Sequence, residues 1–251
     1  MADPTATDRA VSLLEGIATT RSIRRFRPDP VTDDELAQLL FAATRAPTGS
    51  NRQPFRFVVL RDGPAAVQAK ALLGRAFRAG WAAKRRSDGY DGGGGPGPAG
   101  DSGGGGAPNS PKARMAAAMQ HFVDNFESIP VVILPCLVRY RAPTPTEGGS
   151  LYPACQNLLL AARALGLGGT ITMWHALVED ELRQLLGIPD GVLIGATIPI
   201  GRPVGNHGPV RRRPVRELVY DDVWGQEATW AVEPEGTRHT SAGPPVRSGQ
   251  R

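Results

Sequence analysis

The sequence predicts an α+β fold built as one layered domain. Helix-period and strand-period segments are mixed along the 251 residues, and their connections are too irregular for a doubly wound sheet. No internal repeat is present, and no glycine fingerprint with a ribose-selecting acid marks a dinucleotide fold. Hydrophobic residues make up 41% and charged residues 21%, so most of the chain can bury a core.

The elements follow in order. Residues 1–8 read as a disordered N-terminus. A first helix is expected over Arg9–Ala18, with Val11, Leu14 and Ile17 on one face. Thr32-Asp33-Asp34-Glu35 is a helix start: Thr32 caps the free amides, Glu35 reaches back, and the acids complement the dipole. Leu36, Leu39, Leu40 and Ala43 continue that helix until Pro47 forces an end. Phe55–Leu60 is a strand by its aromatic and β-branched content, and a helix from about Ala65 to Arg85 follows. Asp88–Ala107 holds eleven glycines and reads as a flexible insertion. It lacks the preceding strand and the Gly-Lys-Ser/Thr opening of a phosphate-cradling loop.

Ser110-Pro111 opens the next helix, serine as cap and proline in the first turn. The apolar run Ile129–Val138 is a central strand. Gly149–Leu165 is a long apolar helix that Gly166–Gly169 ends. Thr170–Trp174 is short and extended, Glu179–Leu186 is amphipathic and stopped by Gly187 and Pro189, and Ala196–Ile200 is a further strand. The main domain therefore spans 9–230 with its insertion at 88–107, and 231–251 reads as a disordered tail.

The net charge of +5 is clustered. Arg21, Arg24, Arg25 and Arg27 fall within seven residues; Arg202, Arg211, Arg212, Arg213 and Arg216 fall within fifteen that contain no acid. Such clusters suit phosphate, on a small anionic ligand or a nucleic acid, and equally a solvated basic surface. A helix-turn-helix, a zinc spacing and RNP-like aromatics are all missing from the pattern, which argues against a nucleic-acid partner. No apolar run is long enough to span a membrane, and the start lacks a secretory pattern, so a cytoplasmic location is expected. Cys136 and Cys155, without metal-ligand spacing, read as buried thiols in a reducing compartment, and no metal is expected. The four histidines, His121, His175, His207 and His239, are scattered and suggest no nucleophilic constellation.

Three segments carry the chemistry. The first is Thr20-Arg21-Ser22-Ile23-Arg24-Arg25-Phe26, with Pro30-Val31 close behind. The second is Ala46-Pro47-Thr48-Gly49-Ser50-Asn51-Arg52-Gln53-Pro54-Phe55-Arg56-Phe57. The third runs from Cys155 to Arg216 and includes Ala164-Leu165-Gly166-Leu167-Gly168-Gly169, Leu185-Leu186-Gly187-Ile188-Pro189 and Ile198-Pro199-Ile200-Gly201-Arg202-Pro203. In order and spacing these resemble the FMN-dependent nitroreductase family, over roughly residues 10–62 and 120–225. Members open with Arg-Ser-x-Arg, continue with Ala-Pro-Ser/Thr-x-x-Asn-x-Gln-Pro and end near Arg-x-Arg-Pro.

The resemblance implies a nitroreductase-like layered fold, with a central, mainly antiparallel sheet flanked by helices in an intertwined homodimer. It implies an NAD(P)H oxidoreductase, using NADPH or NADH as hydride donor and reducing nitroaromatic, quinone or related conjugated small-molecule acceptors in a ping-pong sequence. Arg21, Arg211 and Arg213 are candidates for the FMN phosphate, since arginine gives bidentate charge-assisted bonds, and Ser22 adds a hydroxyl. Arg24 is placed near the pyrimidine edge, where reduced flavin gathers negative charge. Pro47, Thr48, Gly49 and Asn51 form the turn that the partner subunit brings to the same flavin. Met173 and Trp174 stand where a backbone amide faces flavin N5, so no catalytic side chain is expected; many members have small residues there, and Trp174 or His175 would narrow access. Two other readings stay open: a flavin-cleaving or dehalogenating relative, the former disfavoured by Asn51 where methionine is common, and a basic nucleic-acid-binding protein. Leu218, Val219, Tyr220, Val223 and Trp224 keep the C-terminal segment apolar enough for a subunit contact.

Overall fold

The computed structural model describes residues 11–90 and 110–234. The expected disorder at 1–8, and the glycine-rich insertion from residue 91 on, lie outside the described residues. Residues 231–234, assigned to the tail by sequence, pack back: Ala231 is buried, and the Glu233 carboxylate accepts the Val215 amide at 2.8 Å.

The chain runs α1 (Leu13–Thr19), α2 (Asp33–Thr44), β1 (Phe55–Leu60), α3 (Pro64–Ser87), α4 (Pro111–Asp124), β2 (Val131–Val138), α5 (Tyr152–Ala164), β3 (Gly168–Gly169), α6 (Glu179–Leu186), β4 (Val192–Ile194) and β5 (Ile198–Gly201). The strands form one five-stranded sheet in the order β1-β2-β5-β3, with β4 also on β2, and its pairings are antiparallel. β1, α6 and the capping box of α2 stand where the residue pattern puts them. The Thr32 hydroxyl accepts the Glu35 amide at 3.2 Å, and the Glu35 carboxylate accepts the Thr32 amide at 2.9 Å.

The alternation of β2 builds both cores. Val131, Ile133 and Leu137 face α2 and α5, where Leu36, Leu39, Ala43, Cys155 and Leu158 complete one cluster. Val132, Leu134 and Cys136 face the other layer, with Leu73, Phe77 and Trp81 of α3, Phe122 and Val123 of α4 and Leu182 of α6. A strand covered on both sides needs apolar residues at successive positions, which is why Ile129–Val138 has no polar alternation.

Three expectations change. α1 is capped by Ser12 and starts at Leu13, and its apolar side chains Leu13, Leu14 and Ile17 are exposed rather than core-facing. α5 starts at Tyr152, because Glu147–Ser150 forms a 3-10 turn ahead of Pro153. The expected strand at Ala196–Ile200 is β5, and an unexpected strand, β4, precedes it on β2, with Gly195 donating to the Pro135 carbonyl at 2.8 Å between the two. Three-residue β4 is too short to register as a periodic pattern.

Cys136 and Cys155 lie in opposite core clusters, and burial pushes their thiols up to about 11 and about 12. Both therefore stay protonated and shielded at neutral pH. The folded protein is expected to take up no thiol reagent at pH 8 on the timescale that labels both cysteines in urea. Rapid native labelling of either would contradict this packing.

Candidate active site

The Arg21–Arg27 segment is extended and stitched on both sides. Ile23 donates to the Gly169 carbonyl at 2.9 Å, and Arg27 donates to the Arg202 carbonyl at 2.8 Å. In return Val204 donates to the Arg25 carbonyl, Gly208 to Thr19 and Val210 to Ala18. Sequence positions almost two hundred apart are thus laid side by side and antiparallel, with Arg21 against His207 and the chain leaving the pairing past Val210, beside Ala18. Arg21 and Arg211 are exposed, as is Ser22. Arg213 is half-buried and pairs with Glu217 at 3.8 Å. Arg202, counted by sequence among the phosphate-seeking cluster, is instead held by Glu35 at 2.9 Å; the α2 cap needs that carboxylate fixed, and the guanidinium fixes it.

Arg24 is half-buried, and among the described residues it has no hydrogen bond or ion pair. Burial lowers its pKa. It lines a cleft of about 340 Å³ together with Thr170, Ile171, Thr172 and Trp174. The opposite wall comes from α3, Tyr90 and α4: Trp81, Lys84, Met115, Met119 and Phe122. Gly168 and Gly169 at the root of this cleft have no room for side chains. A Cβ at Gly168 would stand 2.5 Å from Ile23, and one at Gly169 would stand 2.5 Å from the Pro199 carbonyl oxygen. The Thr170–Trp174 backbone is then held by the Thr172–Thr197 bridge.

Met173 is exposed at the start of a 3-10 turn. The Trp174 ring packs edge-on against Phe77, centroids 5.5 Å apart, so it is at once a core residue and a cleft wall. His175 does not narrow the cleft. It is buried, with a ring nitrogen 2.8 Å from the Ile194 carbonyl, and it ties the turn to β4.

Pro47, Thr48, Gly49 and Asn51 are placed elsewhere. Their loop precedes Phe55, which pairs with Leu137, whereas β3 meets the sheet through Ile200, which pairs with Val131 at the other end of β2. With β1 and β3 three strands apart, the offset is roughly 14 Å across the sheet and about 20 Å along it. The loop occupies the corner opposite Arg24. It is wound tightly: Ser50, Asn51 and Gln53 all have positive φ, at 52°, 51° and 49°. Left-handed geometry is costly for non-glycine residues, though asparagine bears it best. The Thr48 hydroxyl accepting the Gln53 amide at 3.0 Å, and the Ser150 hydroxyl accepting the Gly49 amide at 3.2 Å, hold it. Asn51 remains exposed.

His207 is the residue that the motif reading passed over. Its Nδ1 accepts the Arg21 amide at 3.4 Å, and its Nε2 lies 2.9 Å from the Leu167 carbonyl, to which it donates. The Nδ1 atom can accept only while the ring is neutral, whereas Nε2 donates in either state. Burial first, then Arg163 and Arg21, lower its pKa, and burial lowers that of His175. The cleft wall from α3 and α4 was equally hidden, although Met115, Met119 and Phe122 recur at helical spacing. A depressed histidine binds fewer protons folded than unfolded, so its stabilisation is present above the unfolded value of 6.5 and fades as pH falls below it. The free energy of unfolding is expected to be flat from about pH 8 to 7 and to decline between about pH 6.5 and 5, above the main carboxylate range. His207→Gln should flatten part of that decline. An unchanged slope in urea titrations of the variant would show that His207 is not held neutral.

Comparison with known proteins places this geometry. The model of the Nitroreductase family matches residues 17–202. An NADH dehydrogenase from Thermus thermophilus is 30% identical over 203 residues, covering 79% of this chain and 90% of that protein. A 5,6-dimethylbenzimidazole synthase from Rhodospirillum rubrum is 27% identical over 193 residues, covering 74% of this chain and 80% of its own. Among solved structures, a protein assigned as a nitroreductase from Desulfovibrio desulfuricans, in complex with FMN, superposes with a TM-score of 0.56 at 26% identity, over 87% of this chain and 99% of that one. The family model spans the stitched Arg21–Arg27 segment, the Thr48–Asn51 loop and the sheet through Arg202, and the chain belongs to the nitroreductase family.

Proposed function

We propose that the chain is an FMN-dependent oxidoreductase that draws electrons from NADH or NADPH and delivers them to conjugated small molecules such as nitroaromatics or quinones. The observation that carries this reading is Arg24, a desolvated cation without a partner among the described residues, aimed at a cleft whose other wall is aromatic. The residues fit the cofactor. A half-buried charge with no partner among the described residues calls for an anion, and reduced flavin carries negative charge along the edge where Arg24 would lie. For the phosphate, Arg21 and Arg211 are the exposed candidates, and Arg213 would join by exchanging Glu217 for phosphate. Ser22 adds a hydroxyl.

FMN, when bound, supplies the two-electron carrier at its N5 atom. The chain's own residues orient and shield. The backbone of Met173 and Trp174 would offer amides toward the ring, Arg24 would balance charge, and the Tyr90, Met119 and Trp174 side chains would exclude water around a planar ligand. One cleft then serves the donor and the acceptor in turn, which is the structural reason for ping-pong kinetics. Because Pro47, Thr48, Gly49 and Asn51 stand at the opposite sheet corner, a second copy must supply them to this cleft. The homodimer reading is also supported by the exposed Leu13, Leu14 and Ile17 on α1, by Trp224 at 91% exposure, and by the open edge of β1.

A second reading has its own support in the resemblance to a 5,6-dimethylbenzimidazole synthase. Asn51 speaks against it. Incubation with FMN, NADPH and oxygen but no acceptor separates the two, and the flavin spectrum should survive. For the main reading, the purified protein is expected to bind FMN, to lose its flavin absorbance anaerobically with NADH or NADPH, and to recover it with a quinone or nitroaromatic. Arg21→Ala with Arg213→Ala should weaken FMN binding by about 10- to 100-fold, as expected for lost charge-assisted bonds. A colourless protein that takes up no added FMN would sink this function.

A further inference from the structure

We propose that Thr170 is a further cofactor-binding residue: its hydroxyl donates to the same charge-gathering edge of the flavin that Arg24 faces, so that one charged and one neutral donor meet there. The proposal rests on the flavoenzyme reading and adds a side chain to that site, where the Thr170–Trp174 segment otherwise offers backbone.

Thr170 is placed by its neighbours. The Gly169 carbonyl, on the peptide that leads into Thr170, accepts the Ile23 amide at 2.9 Å, and Arg24 is the residue after Ile23. The two segments thus deliver Arg24 and Thr170 to one cleft, which both residues line. Past Thr170 the backbone is fixed again. The Thr172 amide donates to the Thr197 carbonyl at 3.0 Å, and the Thr197 amide donates to the Thr172 carbonyl at 2.8 Å. A slip of one residue is blocked, because it would put the Thr170 Cβ where Gly169 stands, 2.5 Å from the Pro199 carbonyl oxygen.

The hydroxyl is an unmatched group. Thr170 is 3% exposed, and among the described residues its oxygen has no hydrogen-bond partner. Thr197 also has an unpartnered hydroxyl, but that oxygen is sealed off from any ligand. Thr170 opens onto the cleft. Burial takes hydration from a hydroxyl, and nothing among the described residues gives it back. Valine would fill the same shape without that loss, so a threonine here is better matched to a ligand than to an empty cleft. Arg24 sets the type of ligand. A guanidinium holds donors only, and Arg24 makes no bond to Thr170, so both groups are left to donate into the cleft. One acceptor-rich edge answers both. The pyrimidine edge of a flavin is such an edge, and it gains negative charge on reduction, so donors placed there hold the reduced form more strongly than the oxidised one.

The test measures FMN affinity and flavin midpoint potential in the parent, Thr170→Val and Thr170→Ser. Thr170→Val should bind both forms of FMN more weakly, and the reduced form by about tenfold more than the oxidised, which lowers the potential by about 30 mV for a two-electron couple. Thr170→Ser keeps the hydroxyl and should recover most of both losses. A potential in Thr170→Val equal to that of the parent overturns the proposal and leaves the flavoenzyme reading intact, because a packing change alone would weaken both forms alike. So does a serine variant as impaired as the valine one, which would assign the effect to the lost shape. A parent protein that takes up no FMN overturns both.

Discussion

The placement of one guanidinium organises the site. Arg24 is drawn out of water by an extended segment that has no freedom to move: Ile23 is tied to Gly169, Arg25 to Val204 and Arg27 to Arg202. A charge in that position loses hydration, and the described residues return no hydrogen bond or ion pair. Folded proteins rarely keep such a group unless a ligand completes it, and the aromatic cleft in front of Arg24 is where the proposed flavin would do so. Glycine at 168 and 169 is part of the same constraint. Only bare backbone lets Ile23 and the Pro199 carbonyl approach closely enough for the stitching to close.

The surrounding polar groups hold this arrangement rather than act on a substrate. His207 joins the Arg21 amide to the Leu167 carbonyl, His175 joins the turn at Trp174 to β4, and Glu35 joins the cap of α2 to Arg202. Each is a short polar bond between segments remote in sequence. Together they fix the extended strand, the turn behind the cleft and the helix behind the strand. Redox chemistry carried by a cofactor asks mainly for such fixation. The loop at Ser50, Asn51 and Gln53, held in left-handed geometry, is the element that the proposed homodimer would bring to the partner's cleft.

Local chemistry in the sequence specified much of this. The capping box at Thr32 and Glu35, the glycine stop at 187 and the unbroken apolar run of β2 each encode their element within a few residues, and they were legible. What was not legible depended on partners distant in sequence. The exposure of Leu14 and Ile17 follows from what α1 fails to meet, not from its periodicity. Arg202 belonged to a basic cluster by sequence, and only the fold set it against Glu35. His207 carried no motif, because its role consists of two backbone groups that only the tertiary structure brings to its ring. The α3–α4 wall of the cleft was hidden for a related reason: Met115 and Met119 look like ordinary core residues by pattern, and only the fold leaves them lining the same cleft as Thr170–Trp174.

The central claim is that Arg24 is an unmatched cation in the free protein and a matched one with flavin bound. Replacement by methionine keeps the bulk and removes the charge, so it should relieve a desolvation cost in the free state and forfeit a binding interaction in the other. Urea unfolding of parent and Arg24→Met, with and without saturating FMN, reads both at once. The account predicts that the variant is the more stable of the two without FMN and the less stable with it. A parent protein that is more stable under both conditions would contradict it.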